Sequence, residues 1–139
     1  MSGPVPDGST GWSTFLARAE EVTLDEARKR EAAIGPEDPS DIIFTSGTTG
    51  LPKGAVLRHG ASVETYVQWS RGVGLREGDR VLVIYPFFHT AGLKSGILAA
   101  FIRGATLVPH PVFDVQSVVD RVAEERITVL PGPPSIRCV

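Results

Sequence analysis

Apolar positions fall along this chain in runs whose spacing changes from segment to segment. Trp12, Phe15, Leu16 and Ala19 recur at helical spacing, which predicts a helix over residues 12–21. Thr23-Leu-Asp-Glu26 fits a capping box, and the charged run Arg28-Lys-Arg-Glu31 behind it reads as a solvated helix face. Residues 1–10, rich in Pro, Gly and Ser, read as an extended lead-in, and Gly35-Pro-Glu-Asp-Pro39 as a linker. Two short apolar runs follow, Ile42-Ile43-Phe44 and Ala55-Val56-Leu57. Then comes a helix over about residues 62–71, with Val63, Tyr66 and Val67 on its apolar face.

The stretch from Asp79 onward carries the fold class. Val81-Leu-Val-Ile84 is a continuous apolar run, the mark of a strand covered on both faces. Residues 90–103 form a helix-length apolar segment that stops before Gly104. Ala105-Thr-Leu-Val108 reads as a second strand. Asp114 can cap a helix striped by Val115, Val118, Val119, Val122 and Ala123. Ile127-Thr-Val-Leu130 reads as a third strand, broken by Pro131-Gly-Pro-Pro134. This order predicts an α/β architecture: a partial parallel sheet, right-handed crossovers, helices on its faces.

Between the two short apolar runs, residues 45–54 read Thr-Ser-Gly-Thr-Thr-Gly-Leu-Pro-Lys-Gly. Four hydroxyls, three glycines and one lysine sit within ten residues. Glycines let the backbone turn tightly and aim successive N–H groups into one concavity. Hydroxyls add short neutral donors around an anion, and lysine supplies a mobile point charge. That inventory suits a polyphosphate; a plain Gly/Thr-rich hairpin turn is the alternative. The spacing excludes a Walker A loop, which needs lysine directly after its last glycine with Ser or Thr next. Here Leu51-Pro52 separates Gly50 from Lys53, and Gly54 follows. No G-x-G-x-x-G dinucleotide fingerprint opens a helix either.

The 45–54 segment resembles the signature loop of the adenylate-forming (AMP-binding) enzymes, a superfamily of acyl-CoA synthetases, luciferases and peptide-synthetase adenylation domains. Tyr85-Pro86-Phe87-Phe88-His89-Thr90-Ala91-Gly92 is similar to the family's Pro-x-x-His segment beside the acyl pocket, and Pro133-Pro134-Ser135 suits the fatty-acid and related acyl-CoA ligases. The likeness runs from about residue 38 to 136. It implies a fragment of the large N-terminal domain of an acyl-CoA synthetase, truncated at both ends: residues 1–37 as a lead-in with one or two short helices, and 38–139 as a partial AMP-binding domain.

The resemblance also implies chemistry. A carboxylate attacks the α-phosphorus of ATP to give an acyl-adenylate and pyrophosphate, and CoA then takes the acyl group and releases AMP. Ser46, Thr48, Thr49 and Lys53, with N–H groups around Gly47 and Gly50, match the site for the ATP phosphates. Thr45 opens the motif. His89 matches the family's acyl-pocket gate, the alternative being a helix-start histidine with a satisfied hydrogen bond; Phe87, Phe88 and Gly92 would shape the same wall. The family's Tyr-Gly-x-Thr-Glu segment, whose Glu holds magnesium, its Thr-Gly-Asp ribose grip and its lid lysine have no match in these residues. No Asp, Glu, His or Cys cluster has metal-ligand spacing. The chain alone is therefore expected to be inactive, with the remainder of the same enzyme as its partner. A stand-alone phosphate-binding module and a non-functional truncated product are the competing readings.

Composition narrows the picture further. With 139 residues, 42% hydrophobic and 22% charged, the chain has the balance of a soluble globular domain. A net charge of −2 gives no reason to expect nucleic acid or an anionic membrane. The single cysteine, Cys138, allows no internal disulfide and suits a reducing, cytoplasmic setting. The first residues lack the basic start and apolar run of a secretory signal. The longest apolar stretch, residues 96–102, is far too short to span a bilayer. His59 and His110 fall outside any motif and read as structural or solvated. The acyl group accepted and the oligomeric state are not legible here.

Overall fold

A computed structural model describes residues 5–47 and 50–132. The chain divides into two units at Gly35/Pro36. The first holds α1 (Trp12–Ala17), a 3-10 turn (Arg18–Glu21) and α2 (Leu24–Ala32). The single helix expected over 12–21 is thus split, its last turn tightened to i→i+3 bonding. Thr23 caps α2 by accepting from the Glu26 N–H at 3.2 Å. The charged run is solvated as expected, with Lys29–Asp25 and Arg30–Glu26 ion pairs one turn apart.

The second unit begins with an antiparallel pair, β1 (Pro39–Thr45) and β2 (Lys53–Arg58). The ladder runs from Asp41 opposite Leu57 to Thr45 opposite Lys53, with an irregularity between Pro39 and Asp41. Side chains alternate across a strand, so Asp41, Ile43 and Thr45 share one face with their partners Leu57, Ala55 and Lys53. That face carries the half-buried positions, while Ile42, Phe44 and Val56 on the other face stay exposed. Helix α3 (His59–Gly72) follows β2 directly.

Strand β3 (Arg80–Val83) pairs in parallel with β4 (Thr106–Pro109). Between them run a π-helix (Ala91–Leu98) and α4 (Ala99–Arg103), which ends at Gly104 in the left-handed conformation that glycine adopts without strain. Helix α5 (Val115–Glu124) starts at Asp114, whose carboxylate accepts from the Ser117 N–H at 2.9 Å. The third expected strand contracts to one parallel bridge, Val129 to Val81. Besides main-chain bonds from the Thr128 and Val129 N–H groups to the Arg80 carbonyl, Thr128 Oγ1 accepts from the Arg80 N–H at 3.0 Å and donates to Asp79 at 2.8 Å.

The apolar run 81–84 is buried on both faces, as its composition predicts. Val81 and Val83 join Leu75 and Ala99 in one cluster, against which Tyr66 and Trp69 of α3 pack. Leu82 and Ile84 join Val108 and Val118 in the other. One strand thus serves two cores by period-2 alternation. Along α5 only Val118 is fully buried; Val115 and Val119 remain exposed. Among the described residues no helix is long and apolar enough to cross a membrane.

Candidate functional site

The 45–54 segment lies where β1 turns into β2. The strands form because β-branched and aromatic residues flank a glycine-rich polar stretch that cannot continue either one. Thr45 closes the ladder opposite Lys53 and donates its hydroxyl to the Lys53 carbonyl oxygen at 3.4 Å. Two described amides of the segment bond within it. The Gly47 N–H donates to the Thr45 carbonyl at 2.9 Å, and the Gly50 N–H to the Gly47 carbonyl at 3.1 Å. Gly50 has φ +84°, and a Cβ on Gly47 would collide with the Leu51 carbonyl oxygen. Glycine is required at both positions for different reasons, backbone hand in one and close approach in the other. Two amides expected to face an anion thus serve the loop's own carbonyls. Ser46 and Lys53 are exposed. Thr48 and Thr49 lie outside the described residues, as do Pro133-Pro134-Ser135 and Cys138.

His89 occupies the turn before the π-helix. Its own N–H donates to the Pro86 carbonyl at 3.0 Å, and its Nδ1 accepts from the Ala91 N–H at 3.1 Å. With Nδ1 an acceptor, the ring proton belongs on Nε2, and the ring is exposed. The histidine therefore precedes its helix with a satisfied bond and keeps one ring N–H at an exposed position. Phe87 and Phe88 are exposed beside it, whereas Gly92 is buried against the Pro86 carbonyl.

A polar cluster that sequence reasoning passed over lies under the hairpin. Lys94, on the π-helix, is 5% exposed and forms an ion pair with Asp41 of β1. Its ammonium also donates to Ser62 Oγ of α3 at 3.2 Å. Ser40 donates to Asp41 at 2.8 Å and lies 3.1 Å from the Leu57 carbonyl. The second Asp41 oxygen is buried without a hydrogen-bond partner. Burial pulls the Asp41 carboxyl upward. Hydrogen bonds from Lys94 and Ser40, with the charges of Lys94 and His59, outweigh that and hold it below the usual carboxylate value. Asp41, His59, Ser62 and Lys94 line the polar side of a cavity of about 340 Å³, with Leu93 and Phe101 on its apolar side. Neither Lys53 nor His89 borders it. The signal was present: one lysine inside the apolar stretch 90–103 must find a partner if that stretch is buried.

Among the described residues no three Asp, Glu, His or Cys side chains converge to hold a metal ion. His110 and Ser117 meet at 3.2 Å in a local contact across the start of α5.

The sequence profile of the AMP-binding enzyme family matches residues 5–137. A 3-[(3aS,4S,7aS)-7a-methyl-1,5-dioxo-octahydro-1H-inden-4-yl]propanoyl:CoA ligase of Rhodococcus jostii is 47% identical over 129 residues, covering 93% of this chain and 25% of that protein. The long-chain-fatty-acid–CoA ligase FadD13 of Mycobacterium tuberculosis is 34% identical over 131 residues, covering 94% of this chain and 26% of that one. In structure, the o-succinylbenzoate CoA synthetase of Bacillus subtilis with its acyl-adenylate intermediate superposes with a TM-score of 0.68 at 29% identity, over 75% of this chain and 27% of that one. The chain thus spans about a quarter of the length of the relatives it matches. With a family profile running through both the hairpin loop and the His89 segment, the chain belongs to the AMP-binding enzymes.

Proposed function

We propose that this chain is the phosphate-loop portion of an ATP-dependent acyl-CoA ligase. The observation that carries the reading is the 45–54 loop, held at its root by the paired strands β1 and β2, with Lys53 exposed on the first residue of β2. In the proposed reaction a carboxylate oxygen attacks the α-phosphorus of ATP, the bond to the bridging β-phosphate oxygen breaks, and pyrophosphate leaves. The CoA thiol then attacks the acyl carbon of the acyl-adenylate, and AMP departs. Negative charge accumulates on pyrophosphate in the first step, and donors aimed at that charge lower the barrier. Ser46, Thr48, Thr49 and Lys53 are the donors assigned to it, with Thr45, Gly47 and Gly50 shaping their turn. His89 is assigned to the edge of the acyl pocket, its ring N–H near the reacting carboxylate. The groups that fix adenosine, magnesium and in-line geometry belong to the rest of the enzyme, which is the partner this portion requires. The place of work is the cytoplasm.

The test is calorimetric titration of the chain with pyrophosphate and with ATP, beside Lys53→Ala. Binding that weakens in the variant supports the assignment. Binding indifferent to the substitution, or none at all, removes the loop from this role.

A further inference from the structure

We propose that Lys94 is a positioning residue: its ion pair with Asp41 sets the π-helix, and His89 at its head, in fixed register with the hairpin that carries the phosphate loop. The proposal rests on the ligase reading for its consequence, and on the geometry alone for the coupling.

The two motif-bearing elements touch different parts of the molecule. The π-helix lies against β3 and the turn before it. A Cβ at Gly96 would come within 2.9 Å of a Val83 methyl carbon, and one at Gly92 would overlap the Pro86 carbonyl. The glycines therefore let this side approach with no slack. On the hairpin side the polar connection is Lys94 to Asp41, with Ser62 of α3 as the third member. Asp41 shares its strand face with Thr45 and, across the ladder, with Lys53. One buried bond therefore joins the helix that begins after His89 to the face of the hairpin that bears Lys53.

An ion pair is suited to such a task for a physical reason. Burying a lysine costs desolvation that its partner barely repays, so the pair contributes little net stability. Its directionality, however, selects one register, whereas apolar contacts tolerate sliding. The π-helical winding points the same way. Gly92, Lys94 and Gly96 are its buried residues, the glycines against Pro86 and Val83 and the lysine against Asp41, and such winding is concentrated at functional sites.

The test compares the full 139-residue chain with Asp41→Leu/Lys94→Met, an apolar replacement of similar size, and with Asp41→Asn, which keeps the shape. Melting is followed first, and the double variant is expected to melt no lower than wild type. Amide hydrogen exchange and the His89 ring proton resonance are then read by NMR. The expected result is at least tenfold faster exchange at residues 42–45, a shifted His89 resonance, and unchanged protection in β3. Pyrophosphate affinity is expected to fall tenfold or more in the same folded variants. Exchange, resonance and affinity all within twofold of wild type in whichever variant folds would overturn the proposal. Altered exchange and resonance in a chain whose wild type ignores pyrophosphate would uphold the coupling and remove the ligase reading.

Discussion

Thr45 and Lys53 form the last facing pair of the β1–β2 ladder, with the Thr45 hydroxyl bonded to the Lys53 carbonyl oxygen at 3.4 Å. The backbone at the root of the loop is thereby fixed, while the Lys53 ammonium is left to solvent. Lys53→Ala should change stability by no more than about 0.5 kcal/mol, the range of exposed substitutions. Charge-assisted bonds to an anion are worth about 1.5–3 kcal/mol, so pyrophosphate binding should fall roughly tenfold to a hundredfold. Urea denaturation beside a pyrophosphate titration separates the two effects. A variant that loses stability and binding together would show Lys53 to be structural.

Three glycines are expected to respond with different signs to the same added methyl. Gly96→Ala overpacks against Val83 and should destabilise by about 1–3 kcal/mol. Gly92→Ala meets main-chain atoms of Pro86, which cannot rotate away, and should cost at least as much. Gly72 ends α3 with open space around its Cβ direction and no left-handed φ. Gly72→Ala should therefore stabilise by about 0.4–1 kcal/mol, through a less flexible unfolded chain. Chemical denaturation of the three variants ranks them, and a destabilised Gly72→Ala would contradict the reasoning.

Stability should fall on the acid side. Thr128 and the Arg76 N–H, both hydrogen-bonding the Asp79 carboxylate, lower its pKa below the ordinary 3.8, and Asp41 is lowered as well. A carboxyl with a depressed folded-state pKa binds fewer protons folded than unfolded. Its contribution is complete above the unfolded value and disappears as pH drops through the folded one. Melting temperature should therefore decline as pH falls below about 4. Asp79→Asn should flatten part of that decline, and a variant with the wild-type acid slope would exclude Asp79 as a source.

The isolated chain should not catalyse acid-dependent exchange of labelled pyrophosphate into ATP. One set of oxyanion-type donors contributes about 10²–10³ in rate, against the roughly 8–23 kcal/mol by which enzymes commonly lower a barrier. Orientation of the carboxylate against the α-phosphorus must supply much of the difference. The test is an exchange assay with a panel of carboxylic acids. Exchange that depends on an added acid and vanishes in Lys53→Ala would show that these residues suffice.

Local patterns in the sequence determined the elements whose causes are local. The apolar run 81–84, the cap at Asp114, the stop at Gly104 and the parallel pairing of β3 with β4 all follow from side-chain period, capping chemistry and the crossover rule. The family motif at 45–54 is likewise a property of contiguous residues. Tertiary structure alone decided what depends on distant partners. The stretch 127–130 has strand composition, yet it forms a single bridge at Val129, supplemented by the Thr128 N–H on the Arg80 carbonyl and the Thr128 hydroxyl on Asp79. Val115 and Val119 match the stripe of α5 but stay exposed, because burial needs a facing surface as well as a period. The helix expected over 90–103 winds first as a π-helix, with Gly96 seated on Val83 and Gly92 on Pro86. Lys94 and Asp41 lie far apart in sequence and carry no shared motif. Their pairing exists because a buried ammonium must be neutralised by whichever carboxylate the fold brings within reach.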